Sequence, residues 1–349
     1  MDISKLLNQT GEWLNSNGKD SDIVISSRIR LARNSKNFSF VNNSTLKQKK
    51  RIEQFLSVKL RGIKELQEYI YAPLHNLEVT DIYFLFERHL ISKEHANGDG
   101  NRSVLFNKNE STSIMINEED HLRIQMMCSG LDFFSLWEEI DKLDSVIEKY
   151  IPYAFHHQFG YLTSCPTNLG TGLRGSAMLH LPCLFTTGKM KEVSKLLHKH
   201  NLMLRGVYGE GSQNLGNFFQ LSNQITLGKN EKKILKNLEF IIKYVIKYER
   251  LVREKVLNDT YRELVASIKK SYETLCTSET LSTTKAIKNL SNIRLGVDMK
   301  LLSIDISKIN QLFLLSYPAH IQKSEGEKLS ANQRDKSRAL LFKQYLTNN

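Results

Sequence analysis

The sequence contains no apolar segment long enough to cross a membrane. Its longest apolar runs, such as Leu312 to Leu315, fall far short of the roughly 20 residues that a membrane-spanning helix requires. The amino-terminal segment MDISKLLNQTGEWLN lacks the charged region, apolar core and small-residue cleavage site of a secretion signal. We therefore expect a cytoplasmic protein with no membrane partner.

Cysteine and proline are also scarce. The four cysteines are Cys128, Cys165, Cys183 and Cys276, and none belongs to a C-x-x-C pair of the kind that binds zinc or performs dithiol chemistry. This spacing favours a reducing compartment and predicts no metal site built from protein side chains. With five prolines, no repetitive stretch and 40% apolar residues, the 349-residue chain has the composition of a globular protein.

Acidic residues are fewer than basic ones, and the formal net charge is +12. Such an excess attracts polyanions, including nucleotides, nucleic acids and acidic proteins. The densest basic run, KQKKR at 47–51, opens a segment whose apolar residues recur at helical spacing. The solvated face of a helix explains this run better than a nucleic-acid contact, so we do not expect nucleic acid as a partner.

The hydrophobic pattern changes near residue 230. Short β-like runs and glycine-containing loops precede that point, and helical periodicity follows it, which predicts an α+β half and a helical half. The best helices of the first half span 131–151, capped by Asp132 or Ser135, and 189–200. The predicted strands are 82–90, 113–127, 160–164, 176–184, 202–208 and 218–227.

A long helix is predicted from Glu231 onward. Its apolar residues step by alternating fours and threes and share one side of the helix. A core helix and a helix that contacts another helix or subunit remain open as alternatives. The seven residues on this side are Ile234, Leu238, Ile241, Val245, Tyr248, Val252 and Val256.

Two segments alternate charged and apolar side chains. In SDIVISSRIRLARN, at 21–34, the two-residue period of a strand would place Arg28 and Arg30 on one face, where their guanidinium forks suit a polyphosphate. Two ordinary surface arginines are the alternative. In INEEDHLRIQMM, at 116–127, the same period places the polar residues on one face, suitable for a cleft. These polar residues are Glu119, His121, Arg123 and Gln125.

Two glycine-rich segments follow. In TSCPTNLGTGLRGS, at 163–176, closely spaced glycines allow a ligand to approach the backbone, and Cys165 lies in a polar loop where it can be reactive. The absence of a Walker-type motif argues against a P-loop enzyme. In LRGVYGEG, at 204–211, Glu210 lies between two glycines on a loop able to close over a substrate.

Taken together, these segments resemble the phosphagen and protein-arginine kinase family of ATP:guanido phosphotransferases. SSRIRLARN, NEEDHLR, CPTNLGTGLRGS and RG-x-x-GE occur in the family's order. The resemblance implies an α+β fold in which helices flank an antiparallel sheet similar to the glutamine synthetase catalytic domain. It further implies a catalytic domain at 1–255 and a helical domain at 256–349 that serves dimerisation and regulation.

The resemblance also implies which residues contact ATP, with Mg²⁺ bound through the nucleotide phosphates. Arginines would surround the phosphates, and His89 would touch the nucleotide. The implied ATP-binding residues are Ser26, Ser27, Arg28, Ile29, Arg30, His89, Arg123, Arg174, Gly175, Ser176, Ala177, Met178, Arg205, Gly206, Val207, Tyr208, Gly209 and Glu210.

The acceptor of such a kinase is a guanidinium group, which is protonated at neutral pH and therefore needs a base before it can attack. By the family pattern Glu119 and Glu210 would clamp the guanidinium and accept its proton. Cys165 would lie beside the same group and tune it electrostatically, with no covalent phosphocysteine implied. The alternative for Glu119 is a salt bridge to a neighbouring arginine.

The tail segment QRDKSRALLF, at 333–342, resembles the site at which protein-arginine kinases bind phosphoarginine for allosteric control. Its residues are Arg334, Asp335, Arg338 and Ala339, although a charged helix face has the same pattern. Only about 25 residues precede the SSRIR segment, whereas small-molecule phosphagen kinases carry a helical domain there. We therefore expect a protein-arginine kinase.

The family resemblance also implies partners. It implies protein substrates with exposed arginine, an activator protein, Clp-type protease machinery, stress-response repressors as targets, and a homodimer. The alternatives are a small-molecule phosphagen kinase and a non-catalytic adaptor that binds phosphoarginine. The adaptor predicts loss of catalytic groups, yet Glu119, Cys165 and Glu210 are present.

Overall fold

The computed structural model describes residues 3–206 and 214–347, which form a long antiparallel sheet with helices on both sides. Eight strands pair in the order β2-β3-β4-β5-β1-β8-β10-β9, and β6 and β7 form a separate hairpin. The strands are β1 Val24–Arg33, β2 Ile70–Pro73, β3 Ser103–Phe106, β4 Thr112–Ile116, β5 Leu122–Ser129, β6 Phe155–His156, β7 Gly160–Tyr161, β8 Leu173–His180, β9 Leu202–Gly206 and β10 Phe218–Asn223.

The helices confirm the predicted change from an α+β half to a helical half. They are α1 Leu46–Arg61, α2 Val79–Glu87, α3 Lys93–Asn97, α4 Phe133–Tyr150, α5 Pro182–Thr186, α6 Met190–Lys199, α7 Glu231–Asp259, α8 Tyr261–Thr277, α9 Thr283–Asp298, α10 Ile306–Leu315, α11 Pro318–Glu325 and α12 Ala331–Thr347. Within the described residues, no helix has both the length and the apolar character needed to span a bilayer.

One face of the sheet is apolar and carries the main core. Ile29 and Leu31 of β1 point to this face and are fully buried beneath α4 and α7. A Cβ atom at Gly175 would lie 2.9 Å from methyl groups of Leu235 and Leu238, so only glycine lets α7 pack this closely. Helix α7 is therefore a core helix, and it also contacts α4, α5 and α8; its contact with another subunit stays a prediction.

Some predicted elements differ from the structure. Aromatic residues in the segment 82–90 favour a strand, but most of this segment belongs to α2. Its Phe84 and Leu85 are fully buried in a small core shared with Ala319 of α11. Strand propensity reflects packing context, and here tertiary packing against α11 decides the conformation.

The remaining differences concern element boundaries. The single strand predicted at 113–127 is the hairpin β4–β5, whose turn contains Asn117 in a left-handed conformation with φ of 58°. The strand predicted at 176–184 ends at His180, since Pro182 starts α5. The predicted helix at 131–151 is α4, and Asp132 caps it by accepting a hydrogen bond from Ser135 N at 3.1 Å.

The carboxy-terminal helices pack against the second face of the sheet. Ile25, Met127 and Phe218 from the sheet share one apolar cluster with residues of α8, α9, α10 and α12. This cluster brings helices from the end of the chain next to the polar side chains of the central strands. The predicted division after residue 255 falls within α7 and remains a prediction.

Candidate active site

Five arginines lie on the second face of the sheet. Arg30 of β1 pairs with Arg174 of β8, and Ala32 pairs with Arg123 of β5. Arg205 of β9 lies on the same side. Gln220 of β10 pairs with Arg205 and with Met178 of β8, and Met178 shares the side of Arg174 because an even number of residues separates them on β8. Directly paired residues of antiparallel strands point to the same side. We call the surface formed by Arg28, Arg30, Arg123, Arg174 and Arg205 the arginine face.

The arginine face has little compensating negative charge at its centre. Burial lowers the pKa of Arg28 to about 10, with further lowering by Arg174 and Arg123. Burial and the same kind of repulsion hold the pKa of Arg30 well below its ordinary value. Among residues 3–206 and 214–347, the Nε atom of Arg30 finds no hydrogen-bond partner. The site is therefore suited to a ligand with several negative oxygens.

Arg123 is held at the edge of this face by two glutamates. Its Nη1 atom lies 2.5 Å from Oε1 of Glu118, whose side chain is almost fully buried. Its Nη2 atom lies 3.4 Å from Oε2 of Glu119, which is about one-third exposed at 35%. Sequence reasoning missed Glu118, although its place beside Glu119 in the NEED segment was a usable signal.

Glu119 lies between the arginine face and the loop that carries Cys165. It precedes β5 in the turn of the β4–β5 hairpin, where burial raises the pKa of its carboxyl group. Arg123 opposes this rise in pKa, Asp120 and Glu118 add to it, and the nearby Cys165 thiol opposes it. Asn168 Nδ2 donates to Glu119 Oε2 at 3.4 Å. A carboxylate thus stands beside an anion-binding surface and remains accessible.

Two residues fasten the Glu119 turn to the Cys165 loop. One oxygen of buried Asp120 accepts hydrogen bonds from Asn34 Nδ2 and from Ser164 N, both at 2.6 Å. Asn34 follows β1 directly, so this contact ties both loops to the central strand. Neither residue was predicted to contribute to the site.

Strand alternation divides the predicted ATP-binding segments. Two strands contribute these segments. Ser27 and Ile29 of β1 and Gly175 and Ala177 of β8 lie on the core side of the sheet, and the alternate residues of both strands lie on the side of the arginine face. Ser27 donates a hydrogen bond to Gly130 O at 2.8 Å and is fully buried. Any contact of these four residues with ATP would therefore be made by their backbone, because a strand offers only every second side chain to one ligand. Their assignment to the ATP site stays a prediction.

His121 also departs from its predicted place in the cleft. Its Nδ1 atom accepts from Ser35 N at 3.1 Å, and its Nε2 atom lies 2.9 Å from Ser39 O. The ring is fully buried and fixes local backbone. The predicted polar row therefore contains Arg123 and Gln125 on the strand and Glu119 in the preceding turn.

His89 lies at the other end of the arginine face. Burial, together with nearby Arg28, lowers the pKa of His89 to about 3, so the ring is neutral at physiological pH. It lies in an apolar recess with Met178 of β8, Phe313 of α10 and Tyr317. Met178 follows Ser176 on the same strand face, and Ser176 accepts from Arg28 Nε at 3.4 Å. The recess is therefore continuous with the arginine face.

Some predicted residues lie outside the described part of the chain. These are Val207, Tyr208, Gly209 and Glu210, of which Glu210 was expected to be the second carboxylate. Gly206 is described and ends β9.

The RDKSRA element lies in the first half of α12, far along the chain from the arginine face. Arg338 is almost fully buried and donates to Ser316 O at 2.7 Å and to Asp335 Oδ1 at 2.7 Å. Arg334 is half-buried and donates to Leu329 O at 2.8 Å. Ala339 is buried in the carboxy-terminal core. Arg338 thus anchors the helix, whereas Arg334 and Asp335 retain partial exposure.

Comparison with known proteins identifies the family. A family model described as ATP:guanido phosphotransferase, C-terminal catalytic domain, matches residues 50–252. A second, described as the protein-arginine kinase McsB C-terminal domain, matches residues 261–349. A protein-arginine kinase from Halothermothrix orenii is 39% identical over 346 residues, covering 98% of this chain and 99% of the relative. One from Bacillus cereus is 37% identical over 350 residues, covering 99% of each.

Solved structures agree with the fold. Lombricine kinase superposes with a TM-score of 0.60 at 23% identity, covering 71% of this chain and 72% of the other. The duplicated taurocyamine kinase from Schistosoma mansoni gives a TM-score of 0.60 at 24% identity, covering 80% of this chain and 41% of the other. These two likenesses concern the fold alone. The family models and full-length relatives together show that the chain belongs to the ATP:guanido phosphotransferase family, among its protein-arginine kinases.

Proposed function

We propose that the protein transfers the γ-phosphoryl group of ATP to the guanidinium group of arginine side chains in proteins. The observation that carries this proposal is the position of Glu119, which contacts Arg123 of the arginine face and accepts a hydrogen bond from Asn168 in the loop that carries Cys165. A phosphate-binding surface and a candidate base thus adjoin each other. The names of the full-length relatives support a protein as the source of the acceptor.

The arginine face would hold the triphosphate, with the purine base toward His89 and the apolar recess. Its guanidinium groups would also stabilise negative charge on the transferring phosphoryl group, which is the main requirement of phosphoryl-transfer catalysis. Among the described residues, no group of three or more His, Cys, Asp or Glu side chains is arranged to hold a metal ion. The family resemblance supports Mg²⁺ bound through the phosphate oxygens.

Glu119 would orient the acceptor guanidinium and take its proton as the nitrogen attacks the γ-phosphorus. A raised pKa suits a base, because the proton is then accepted with less loss of driving force. Glu210 would act as the second carboxylate, and Cys165 would adjust the charge around the acceptor. In the reaction, the new N–P bond replaces the bond between the γ-phosphorus and the β,γ-bridging oxygen, and ADP leaves.

The tail would provide regulation. We propose that Arg334 and Asp335 bind phosphoarginine, with the arginine on the phosphoryl group and the carboxylate on the remaining guanidinium nitrogens. We further propose a cytoplasmic homodimer that marks proteins for Clp-type proteolysis and controls stress-response repressors, with an activator protein as partner. Family resemblance supports this physiological role.

The test is a phosphorylation assay with ATP, magnesium and an arginine-rich protein. Mass spectrometry under conditions that preserve acid-labile phosphate should find phosphate on arginine, and the Glu119→Gln variant should give almost none. Phosphate confined to serine, threonine or tyrosine would refute the acceptor. Efficient turnover of free arginine, with no modified protein, would instead favour the small-molecule phosphagen kinase.

A further inference from the structure

The segment Glu87-Arg88-His89 connects the nucleotide recess to the carboxy-terminal helices. It leaves the end of α2, and only its last residue lies in the recess. The two residues before His89 make polar contacts with α11 instead.

Glu87 caps the amino terminus of α11. Its two carboxylate oxygens accept hydrogen bonds from Ala319 N at 2.9 Å and His320 N at 3.0 Å. One of them also lies 2.8 Å from Nδ1 of His320. Its side chain is only 9% exposed, so these contacts are protected from water. Glu87 thereby fixes the end of α2 against the start of α11.

Arg88 completes the connection from the other side of the histidine. Its Nη1 atom lies 3.3 Å from Nε2 of His320, while Nε donates to Glu110 Oε2 at 2.8 Å. Both Arg88 and Glu110 are almost fully buried. Burial, with the charge of Arg88, holds the pKa of His320 well below its ordinary value, so the imidazole is neutral. A neutral ring donates to Glu87 through Nδ1 and accepts from Arg88 through Nε2.

His89 has a backbone conformation that needs such support. Its φ of 58° lies in the left-handed region, which a residue with a Cβ atom adopts at a cost in free energy. Gln125 of β5 donates to its carbonyl oxygen at 2.8 Å, and the Trp13 ring meets its ring edge-on at 4.9 Å. The position of the ring is thus set by the surrounding structure, including the two preceding residues.

We propose that Glu87 and His320 are positioning residues for nucleotide binding, which hold His89 in place by docking α2 onto α11. This inference rests on the proposed function in taking ATP as the ligand of the recess. It implies that the affinity for ATP depends on how the carboxy-terminal helices are seated. Neither residue lines the recess, so each would act through His89.

The test compares Glu87→Gln with Glu249→Gln. Glu249 offers a matched control because it is also a buried glutamate that caps a helix, accepting from Cys183 N at 3.1 Å and Leu184 N at 2.9 Å at the start of α5. Both substitutions should lower Tm. Only Glu87→Gln should raise the Kd for ATP, by about tenfold, with turnover at saturating ATP almost unchanged.

Trp13 gives an independent readout of the ring position. The chain has two tryptophans, so in a Trp137→Phe background the emission reports Trp13 alone. Glu87→Gln should change this emission and Glu249→Gln should not. An unchanged Kd for ATP in Glu87→Gln, or an equal rise in both variants, would overturn the inference.

A second pair of variants keeps the inference testable if Glu87→Gln does not fold. His320→Asn retains a donor near the Nδ1 position and loses the acceptor for Arg88, whereas His320→Gln retains an acceptor near Nε2. Each variant should raise the Kd for ATP by less than His320→Ala, which loses both the donor and the acceptor. Equal Kd values for wild type and His320→Ala would contradict the proposal. Failure of the proposed function would appear separately, as no phosphoarginine formed by the wild-type protein.

Discussion

Arg30 and Arg33 lie in the same strand but have opposite electrostatic surroundings. At a separation of about 6 Å and an effective dielectric constant near 20, two like charges repel by roughly 2 to 3 kcal/mol. Arg30 is buried beside Arg28, Arg123 and Arg174, which lower its pKa, so we expect it to destabilise the free protein. Arg33 points to the other side and is paired at 2.7 Å with Asp144.

We predict that Arg30→Met raises or preserves the Tm of the nucleotide-free protein and weakens ATP binding about 10- to 100-fold, because it removes charge repulsion together with a phosphate contact. Methionine keeps the apolar stem. Arg33→Met is the control and should lower stability by about 3 to 5 kcal/mol, since it leaves Asp144 buried without its partner. Thermal unfolding with and without ATP checks both variants. A lower Tm in Arg30→Met would contradict the prediction.

Glu119→Gln tests the base at the same scale. The amide keeps the shape of the side chain but cannot accept the proton of the guanidinium group, so we expect turnover to fall at least about a hundredfold. The Kd for ATP should remain within a factor of about two, because the arginine face is intact. Steady-state kinetics and nucleotide titration measure the two quantities. Near-normal turnover would remove Glu119 from the proposed role.

The pKa of Glu119 predicts a pH dependence. Burial raises this pKa above the ordinary value of 4.5, and the protonated carboxyl group cannot act as a base. Turnover at saturating substrate should therefore rise with pH through a midpoint above 4.5. Rates from about pH 5 to pH 9, with circular dichroism to verify folding, would show the rise. The residual activity of Glu119→Gln should lack it, and an identical profile would argue against this base.

At the scale of elements, the sequence predicts the side of a strand on which a residue lies better than it predicts whether a segment is a helix or a strand. The alternation in β1 correctly placed Arg28 opposite Ile29, because the two-residue period of a strand is a local property. The helical conformation of 82–90 depends on contacts with α11, far along the chain, which no local pattern contains.

The site shows the same division. Motif resemblance singled out Arg123 and Glu119, and the structure brings them together. The motif resemblance did not identify Asp120 or Asn34, since their role depends on the hydrogen bonds that two separate loops form in the folded chain. Motif matching treats a strand as continuous, so it did not distinguish Ser27 and Gly175, which lie on the core side of their strands, from the alternate residues whose side chains can meet a ligand.

Asp120→Ala should show whether the position of Glu119 affects turnover independently of ATP binding. Without this carboxylate, Asn34 and Ser164 lose their shared acceptor, and the Glu119 turn is no longer tied to the Cys165 loop. We expect turnover to fall about 10- to 100-fold, because a misplacement near 1 Å has effects of that size. The Kd for ATP should change little.

Asp99→Ala is a matched control for this variant, since Asp99 is an exposed acid whose side chain pairs with Lys49. Its kinetics should resemble those of wild type. A rise in the Kd for ATP that accounts for the whole loss in Asp120→Ala would reject the positioning role.

At the scale of the whole molecule, helices from the end of the chain cover strands from its beginning. Phe313 and Tyr317 line the recess beside His89, and Glu87 bonds to the start of α11. Helical periodicity predicted the carboxy-terminal helices but not the surface that they would cover, because periodicity gives an apolar side and not its partner.

The tail offers a test of regulation at this scale. Arg334→Ala combined with Asp335→Ala should abolish activation by added phosphoarginine, while basal phosphorylation of a protein substrate persists. Arg338→Ala serves as a contrast and should reduce stability, because Arg338 bonds to Ser316 O from a buried position. Dose–response curves for phosphoarginine and thermal unfolding distinguish the two effects. An unchanged response in the double variant would reject the pocket.

The placement of β1 at the centre of the sheet also bears on synthesis of the chain. A nascent polypeptide emerges from the ribosome with β1 long before its neighbours β5 and β8, which begin at Leu122 and Leu173. During that interval both edges of this strand, one face of which is apolar, are open to pairing with other chains, a known route to aggregation. Arg28 and Arg30 would discourage such pairing by repulsion, so the charges that suit a nucleotide in the finished enzyme would protect the unfinished one.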